Sequence, residues 1–389
     1  MIKESLQANH LLQAPPAKRK NRPVKFSINQ AELQDALAVV LKGIATRSTL
    51  PILSGIYLDA QDDHVTLQAT DLELSIQYTV PALVEENGRS VFPGKLFSDI
   101  VKNLANAAVH VETLDDAAVI TCDASSFSIK TLDAEDFPGF PHVDTQQAIS
   151  IPFSQFSSMV KRVARVVSKD ESRAILTGVL ITLEGSTLKM VATDSYRLAI
   201  TDAELDEPAA EGFQAVIAGS FLQELASLNR TDDPLTIALA ENQIVVTYHD
   251  TVFINRRIEG NFPNYRQLLP DSYVTRVKLN VAHLVSGVKR TSILGQQSSP
   301  VKFAIDVDSQ TVQLSAAAQD VGSAQETLPC QGEGENVEIA FNYAYVLDGL
   351  GAVGTDDVYL EVQTGMKPGI FKAAAGENFL YLVMPVRIA

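Results

Sequence analysis

The sequence has few cysteines and no long apolar run. Its two cysteines, Cys122 and Cys330, lie far apart and outside any metal-binding spacing, so neither a disulfide framework nor a zinc site is predicted. We expect both to be buried thiols. No stretch approaches the roughly 20 apolar residues that cross a membrane, and the N-terminus lacks the apolar segment of a secretory signal. These absences predict a cytoplasmic protein without a membrane partner.

Catalytic motifs are also missing. The six histidines are scattered without ligand spacing, and no HExxH, GxSxG or GxxxxGK(S/T) motif occurs. Three aspartates, Asp71, Asp194 and Asp320, recur at matching places and could be proposed as metal or acid–base carboxylates. A side chain that recurs once per repeat more often caps a turn, and we predict that role for them. The sequence therefore predicts no enzyme, no metal and no cofactor.

Positive charge is in deficit. The 31 lysines and arginines face 47 aspartates and glutamates, which gives a net charge of −16 and argues against indiscriminate nucleic-acid binding. A local basic surface is compatible with that net charge, so the distribution of charge decides whether nucleic-acid binding can be dismissed. The length of 389 residues predicts roughly two to four domains. A hydrophobic fraction of 46% is typical of a globular chain.

The sequence does contain a long internal repeat. Residues 51–55 (PILSG) and 67–71 (LQATD) recur at one common offset as 174–178 (AILTG) and 190–194 (MVATD), and 314–320 (LSAAAQD) form a weaker third copy. Proline-containing turns close the first two copies and are typical of domain boundaries. The predicted organisation is an N-terminal extension over 1–23 that is flexible, and three domains over 24–146, 147–273 and 274–389.

Within each copy the hydrophobic period alternates between 2 and 3.6. The first copy shows a strand near 26–28, a helix over 31–44, and strands at 55–58 and 65–68. A second helix follows in the other half of each copy. Because strands dominate and do not alternate singly with helices, we expect an α+β fold of antiparallel sheets, with two helices per domain packed on the sheets.

The helices carry the positive charge. A helix predicted over 154–168 has an apolar stripe at Phe156, Val160, Val163 and Val167 and a basic opposite face. Such charge on one helix is usually solvation, but its repetition on other helices of an acidic chain indicates a surface for a polyanion. No aromatic residue interleaves with it, which favours duplex backbone contact over base stacking. The candidate DNA-binding residues are Arg47, Lys95, Lys102, Lys161, Arg162, Arg165, Lys169, Arg173, Lys289 and Arg290.

Four segments carry a family resemblance: 49–53 (TLPIL), 191–199 (VATDSYRLA), 262–265 (FPNY) and 381–387 (YLVMPVR). Together with the three repeats, they resemble the bacterial DNA polymerase III β subunits, the replicative sliding clamps, over roughly residues 24–389. The resemblance implies a DNA-clamp fold and a head-to-tail homodimer that closes a ring around duplex DNA. It also implies a processivity factor that slides on DNA and tethers the replicative polymerase without a catalytic site.

The resemblance further implies two interaction sites. One is the dimer joint, with Phe127 and Ile129 against Ile293 and Leu294. The other is a pocket between domains 2 and 3 for short motifs of polymerases, the clamp loader and mismatch-repair or ligase proteins. The sequence departs from the family pattern in three places: Ser195-Tyr196 replaces the common Gly-His, Gln267 stands where arginine is frequent, and Ala389 extends past the usual last residue. The matching pocket positions are Leu176, Thr193, Tyr196, Arg197, Leu198, Pro263, Leu268, Leu382, Met384, Pro385, Val386 and Arg387.

Other hypotheses remain open on the residues alone. Residues 381–386 could be a terminal core strand, and the chain could be a three-domain β-rich scaffold that never encircles DNA. A metal-dependent nuclease using the repeated aspartates is a remote third hypothesis. The basic residues of the N-terminal extension, Lys18, Arg19, Lys20 and Arg22, favour a flexible tail, with extra DNA contact as the weaker reading. A DNA clamp would be associated with the nucleoid.

Overall fold

The structure is a computed structural model of the chain. It describes residues 21–45, 49–143, 148–208, 212–228, 231–294, 300–318, 321–376 and 378–387. Arg47, Asp320 and residues 1–20 of the extension therefore lie outside the described residues. Within these ranges the chain forms six α-helices and 26 strands.

The α-helices are α1 (Gln30–Val40), α2 (Gly94–Lys102), α3 (Phe153–Val163), α4 (Gly219–Ala226), α5 (Val281–Thr291) and α6 (Tyr343–Leu350). The first ten strands are β1 (Lys25–Asn29), β2 (Gly55–Gln61), β3 (His64–Thr70), β4 (Leu74–Pro81), β5 (Leu83–Glu86), β6 (Gly88–Pro93), β7 (Ala108–Leu114), β8 (Ala117–Cys122), β9 (Ser125–Lys130) and β10 (Ala148–Pro152). The next seven are β11 (Gly178–Glu184), β12 (Thr187–Thr193), β13 (Arg197–Glu204), β14 (Phe213–Ala218), β15 (Pro234–Leu239), β16 (Gln243–Tyr248) and β17 (Thr251–Arg256). The last nine are β18 (Thr275–Asn280), β19 (Pro300–Asp306), β20 (Thr311–Ala318), β21 (Gly322–Pro329), β22 (Gln331–Glu333), β23 (Val337–Asn342), β24 (Asp357–Val362), β25 (Gly369–Ala373) and β26 (Phe379–Val383).

The strands build four sheets in two compact units. One unit, Met1–Ile151 with Asp233–Arg256, holds a five-stranded sheet (β5-β1-β7-β8-β9) and an eight-stranded sheet (β10-β15-β16-β17-β4-β3-β2-β6). The other, Pro152–Asp232 with Arg257–Ala389, holds a nine-stranded sheet (β14-β11-β12-β13-β26-β25-β24-β18-β22) and a four-stranded sheet (β21-β20-β19-β23). The registers are antiparallel, as predicted.

Strands from successive sequence repeats share two of these sheets. In the first unit β17 pairs with β4 of the preceding repeat, with Phe253 opposite Ile76. In the second unit β13 pairs with β26, with Leu198 opposite Leu382. Hydrogen bonds in the eight-stranded and nine-stranded sheets therefore join strands of different predicted domains. The boundaries at 146/147 and 273/274 stay predictions.

Each repeat contributes the two helices that the sequence predicts, and these pack in pairs as α1 with α2, α3 with α4 and α5 with α6. The stripe of α3 is confirmed, since Phe156, Val160 and Val163 are fully buried. The helix is shorter than the predicted 154–168, because its last turn tightens into a 3₁₀ turn at Ala164–Val166. The Ser168 N–H then donates to the Leu176 carbonyl (2.8 Å), which draws the chain out of the helix.

The residues that precede β1 are docked against the first repeat. The backbone of Arg22 exchanges two hydrogen bonds with Arg89 of β6 (3.0 and 3.1 Å). The Asn21 side chain donates to the Leu132 carbonyl (3.2 Å) and accepts from the Ala134 N–H (2.8 Å). The free edge of β6 offers these backbone partners, which a sequence does not reveal, and the flexibility of the extension through residue 23 stays a prediction.

The structure also bears on the predictions for the cysteines, for membrane-spanning segments and for metal ligands. Cys122 and Cys330 are buried free thiols, as predicted, and burial raises the pKa of Cys330. No helix of the described ranges is long and apolar enough to cross a membrane. The described residues contain no group of three or more histidines, cysteines or carboxylates placed to hold a metal ion.

Candidate functional site: partner cleft and basic helices

The first two repeated aspartates cap equivalent turns. The Asp71 Oδ1 accepts from the Glu73 N–H (3.0 Å) and the Leu74 N–H (2.7 Å). The Asp194 Oδ1 accepts from the Tyr196 N–H (2.9 Å) and the Arg197 N–H (3.0 Å). The residue after each aspartate has a left-handed backbone, with a φ of 79° at Leu72 and 80° at Ser195. The predicted turn-capping role is confirmed for these two, and it explains why the motif recurs.

The two turns differ in one respect that can be measured. Asp194 also accepts from Arg197 Nε at 3.0 Å in a mostly buried ion pair, whereas Leu74 occupies the corresponding place after Asp71. We expect Asp71→Ala to lower the free energy of unfolding by about 1–2 kcal/mol. Asp194→Ala is expected to cost about 3–5 kcal/mol, because it also leaves a buried guanidinium short of a partner. Urea unfolding of both variants checks this, and equal losses would contradict a stabilising role for the ion pair.

An apolar ladder crosses the strands β12, β13, β26 and β25. It consists of Thr193, Leu198, Leu382 and Ile370, which are successive cross-strand partners. Directly paired residues of antiparallel strands point to the same face, so the four side chains form one continuous row. Each is 0 to 5% exposed, and the cluster that contains Leu198, Ile370 and Leu382 also includes Tyr265. The structure therefore brings together three residues that the sequence had placed in the pocket.

Four of the predicted pocket residues are exposed, and we call them the rim of the cleft. The rim consists of Tyr196, Pro263, Leu268 and Met384, of which Tyr196 is 59% exposed, Leu268 42% and Met384 37%. The Met384 N–H donates to the Tyr196 carbonyl (2.9 Å), so two rim residues from distant segments are tied together. An exposed tyrosine, leucine and methionine are residue types expected of a contact surface for an apolar side chain.

Further predicted pocket residues are Leu176 and the chain that follows β26. Leu176 is 5% exposed and lies in a 3₁₀ segment, Glu171–Thr177. After β26 the chain continues over Pro385 and Val386, both half-buried, to the exposed Arg387. The Val386 N–H donates to the Ala340 carbonyl (2.8 Å), which fixes this tail against β23. The tail is thus held by backbone bonds at both Met384 and Val386.

Arg197 points to the opposite face from Leu198, because successive strand residues alternate. Its guanidinium donates to Asp194 Oδ2 (3.0 Å), to Asp348 Oδ2, to the Tyr381 hydroxyl (3.3 Å) and to the Arg165 carbonyl (3.3 Å). It also lies 4.5 Å from the centre of the Tyr345 ring. The side chain is 9% exposed and makes these contacts within the protein, so its direct contact with a partner stays a prediction.

The electrostatics of this network favour a permanent charge on Arg197. Burial by itself lowers the pKa of the guanidinium, but its contacts with Tyr381, Asp348 and Asp194 outweigh burial and raise it. Burial also raises the pKa of the Tyr381 hydroxyl, which stays protonated and donates to the Tyr345 carbonyl (2.8 Å). Arg197 therefore stays charged and Tyr381 neutral at physiological pH.

Among the candidate DNA-binding residues, the lysines and the arginines differ in their contacts within the protein. The lysines are exposed, and no described residue forms an ion pair with them: Lys95, Lys102, Lys161, Lys169 and Lys289. Three arginines are bonded within the protein. The Arg290 guanidinium forms an ion pair with the Glu326 carboxylate, with Nε 2.8 Å from Oε2, and this contact lowers the pKa of Glu326. Arg165 donates to the Lys161 carbonyl (3.0 Å) and the Asp348 carbonyl (3.3 Å), and Arg173 donates to Asp170 (3.1 Å) and Ser195 (3.1 Å).

Helical geometry explains where these cations lie. Lys95 and Lys102 are on α2, Lys161 and Arg162 on α3, and Lys289 and Arg290 on α5. Lysines and arginines in the last turn of each of these helices also complement the partial negative charge at the helix end. Arg162 is half-buried, whereas Lys161 beside it is exposed. The lysines remain the freest point charges for a diffuse anionic partner.

The four residues of the predicted dimer joint lie at sheet edges. Phe127 (39% exposed) and Ile129 (9%) belong to β9, the edge strand of the five-stranded sheet. Ile293 (75% exposed) and Leu294 lie in a 3₁₀ turn, Ser292–Leu294, beside β21. β21 is itself the edge strand of the four-stranded sheet. Ile293 and Phe127 thus offer apolar surface beside two unpaired strand edges, while Ile129 is mostly used by its own core.

Sequence reasoning missed several residues that complete the cleft. Tyr265 packs in the cluster that contains Leu198, Ile370 and Leu382, whereas only Pro263 of its FPNY segment is predicted to line the pocket. Tyr345 stacks with Tyr196 at 6.4 Å between ring centres, and Asp348 bonds Arg197 from 151 positions away. No local signal marks these two, because the contact depends on the packing of α6 against β13 and β26.

Comparison with known proteins decides the family. Profiles of the DNA polymerase III beta subunit match the chain in three parts: the N-terminal domain at 24–141, the central domain at 150–264 and the C-terminal domain at 266–387. The chain belongs to the DNA polymerase III beta subunit family. A beta sliding clamp from Synechocystis sp. is 31% identical, over 94% of this chain and all of that protein. The confirmed resemblance makes this chain a sliding clamp, a processivity factor rather than an enzyme.

Solved structures agree with the fold of the clamp. The sliding clamp of Bacillus subtilis superposes with a TM-score of 0.91 at 29% identity, covering 95% of this chain and all of that one. The Pseudomonas aeruginosa clamp bound to griselimycin superposes with a TM-score of 0.90 at 27% identity, covering 94% and 100%. The prediction of three clamp domains of antiparallel sheets with two helices each is confirmed. The family profiles begin at residue 24, so the docked residues 21–23 and the segment before them precede the shared part.

Proposed function

We propose that this clamp acts as a head-to-tail homodimeric ring that encircles duplex DNA, slides along it and tethers the replicative polymerase. Membership of the family over all three repeats is the observation that carries the proposal. Ring closure would keep the clamp on DNA without catalysis and without tight binding. The scaffold hypothesis, which has no role for the basic helices, is not favoured.

The sheet edges support the proposed dimer. β9 and β21 each end a sheet, and an unpaired edge is a template for pairing with another strand. Pairing β9 of one subunit with β21 of the next would cover both edges and bury Phe127 and Ile293. In a head-to-tail dimer this contact forms twice, so that β9 and β21 of both subunits are paired.

The exposed lysines and the internally bonded arginines together support a loose contact with DNA. Flexible lysines attract phosphates without fixing a register, and such contacts carry no sequence information. Arginines held by Asp348, Glu326 or Asp170 are less free to grip a phosphate. We therefore assign the sliding contacts mainly to Lys95, Lys102, Lys161, Lys169 and Lys289.

The rim and ladder are the proposed partner cleft. An inserted leucine or phenylalanine would contact Tyr196, Leu268 and Met384 and reach toward Leu198 and Leu382, where little polar surface needs to be desolvated. The occupants would be short motifs of the replicative polymerase, the clamp loader, other polymerases and mismatch-repair or ligase proteins. A protein with these partners would work in the cytoplasm on the nucleoid.

Topological retention tests the proposal. The labelled clamp is loaded onto nicked circular duplex by the cognate loader with ATP, and the circle is then cut once. We expect retention on the circle and loss on cutting, because one cut leaves the phosphates in place but opens an exit. Ile293→Asp, which is expected to prevent ring closure, serves as the control that is lost from both forms. Equal retention on circular and linear DNA would refute encirclement.

A further inference from the structure

Asp348 on α6 lies behind the partner cleft, and the sequence pattern assigns it no role. Its carboxylate accepts from Arg197 Nη1, and its backbone carbonyl accepts from Arg165 Nη1 at 3.3 Å. Arg197 begins β13 directly after the turn that carries Tyr196. Asp348 thus contacts the residue that directly follows Tyr196 in the turn.

Two routes connect Asp348 to the Tyr196 side chain. In the first, Arg197 donates to Asp194 Oδ2 (3.0 Å), and Asp194 Oδ1 holds the N–H groups of Tyr196 and Arg197. In the second, the Arg197 guanidinium lies over the Tyr345 ring, which stacks with Tyr196 at an angle of 26°. Both routes pass through Arg197, whose position Asp348 helps to fix.

The turn needs such support because its backbone is strained. Ser195 has a φ of 80°, a left-handed conformation that is unfavourable for a non-glycine residue and persists only where the surroundings hold it. The Tyr196 carbonyl in turn holds the Met384 N–H (2.9 Å), so a shift of the turn would also move Met384. Tyr196 and Met384 are two of the four rim residues.

We propose that Asp348 is a positioning residue of the partner cleft, which holds Arg197 and through it fixes the Asp194–Tyr196 turn and the Met384 rim. The inference rests on the proposed function of the cleft. Asp348 need not touch the partner, because its carboxylate acts on the face of the sheet opposite Leu198. Its side chain is 46% exposed, so a substitution there leaves the core packing intact.

Amide hydrogen exchange and peptide binding together test this role. In Asp348→Asn the charge of the pair with Arg197 is lost, and we expect the amides of Tyr196, Arg197 and Met384 to exchange roughly tenfold faster. The affinity for a fluorescent peptide with the clamp-binding motif of the cognate polymerase should fall about threefold to tenfold. Asp348→Glu should recover part of both effects, since it restores the charge.

The matched control is Asp356→Asn, an exposed carboxylate of the same repeat that takes no part in this network. It should change neither exchange at the turn nor peptide affinity. Unchanged exchange at Tyr196 and Met384 in Asp348→Asn would overturn the inference, as would exchange that rises equally throughout the unit. Failure of the unmodified clamp to bind the peptide would refute the proposed cleft, while the exchange measurement would still decide the positioning role.

Discussion

Ile293→Asp is expected to convert the dimer to monomers over the micromolar range. The side chain is 75% exposed beside the edge strand β21, so the substitution leaves the core of its own repeat intact. In the proposed joint it would bury a carboxylate in an apolar contact. A central apolar contact contributes about 2–4 kcal/mol to an interface, which corresponds to a dissociation constant raised roughly 30-fold to 1,000-fold per joint. Sedimentation velocity over a concentration series measures the effect.

Met366→Asp is the matched control for this prediction. Met366 is also an exposed apolar residue, at 62%, but it lies in the turn between β24 and β25, away from both edge strands. We expect it to remain dimeric. Phe127→Asp, on the opposing edge, should reproduce the monomer, and both monomeric variants should still bind the partner peptide. A dimer that is unchanged in Ile293→Asp would place the joint elsewhere.

Truncation after Val383 should abolish peptide binding while the dimer persists. It removes the Met384 rim and the chain that Val386 anchors to Ala340, but it leaves the β9 and β21 edges untouched. Loss of a large apolar rim residue together with its neighbours is expected to lower peptide affinity by about 30-fold or more. Calorimetric titration with the same polymerase peptide measures it, with sedimentation as the check on assembly.

Met384→Ala separates the rim from the tail. It keeps the backbone bond to Tyr196 and removes only the side chain, so we expect a loss of about tenfold, while Met366→Ala should leave affinity unchanged. If truncation leaves the peptide affinity as it was, the cleft assigned to Tyr196, Leu268 and Met384 does not bind partners.

Local patterns revealed much of this architecture. The repeated aspartates were identified as turn caps, because a carboxylate that recurs once per structural unit serves the unit, and Asp71 and Asp194 do cap equivalent turns. The stripe of α3 and the burial of both cysteines also followed from residue type and spacing. The end of α3 was predicted too late, because the bond from Ser168 to Leu176 is a tertiary contact.

Charge was harder to interpret from sequence. Lys289 and Arg290 are neighbours on one helix, yet Arg290 is committed to Glu326 on β21 and Lys289 has no ion-pair partner among the described residues. Thirty-six positions separate the arginine from its carboxylate. A helical pattern shows that both residues face away from the core, but the strand that packs beside them decides which one is available to DNA.

The repeat, the α+β class, the two helices per repeat and the family can all be read from the chain alone, because they depend on periodicity and on contiguous motifs. The tertiary structure alone decided which strands of successive repeats share a sheet, how Leu198 meets Leu382, and that Asp348 holds Arg197 behind the rim. Those contacts join residues more than 150 positions apart, and their energy depends on sheet register and helix packing, which no local pattern encodes.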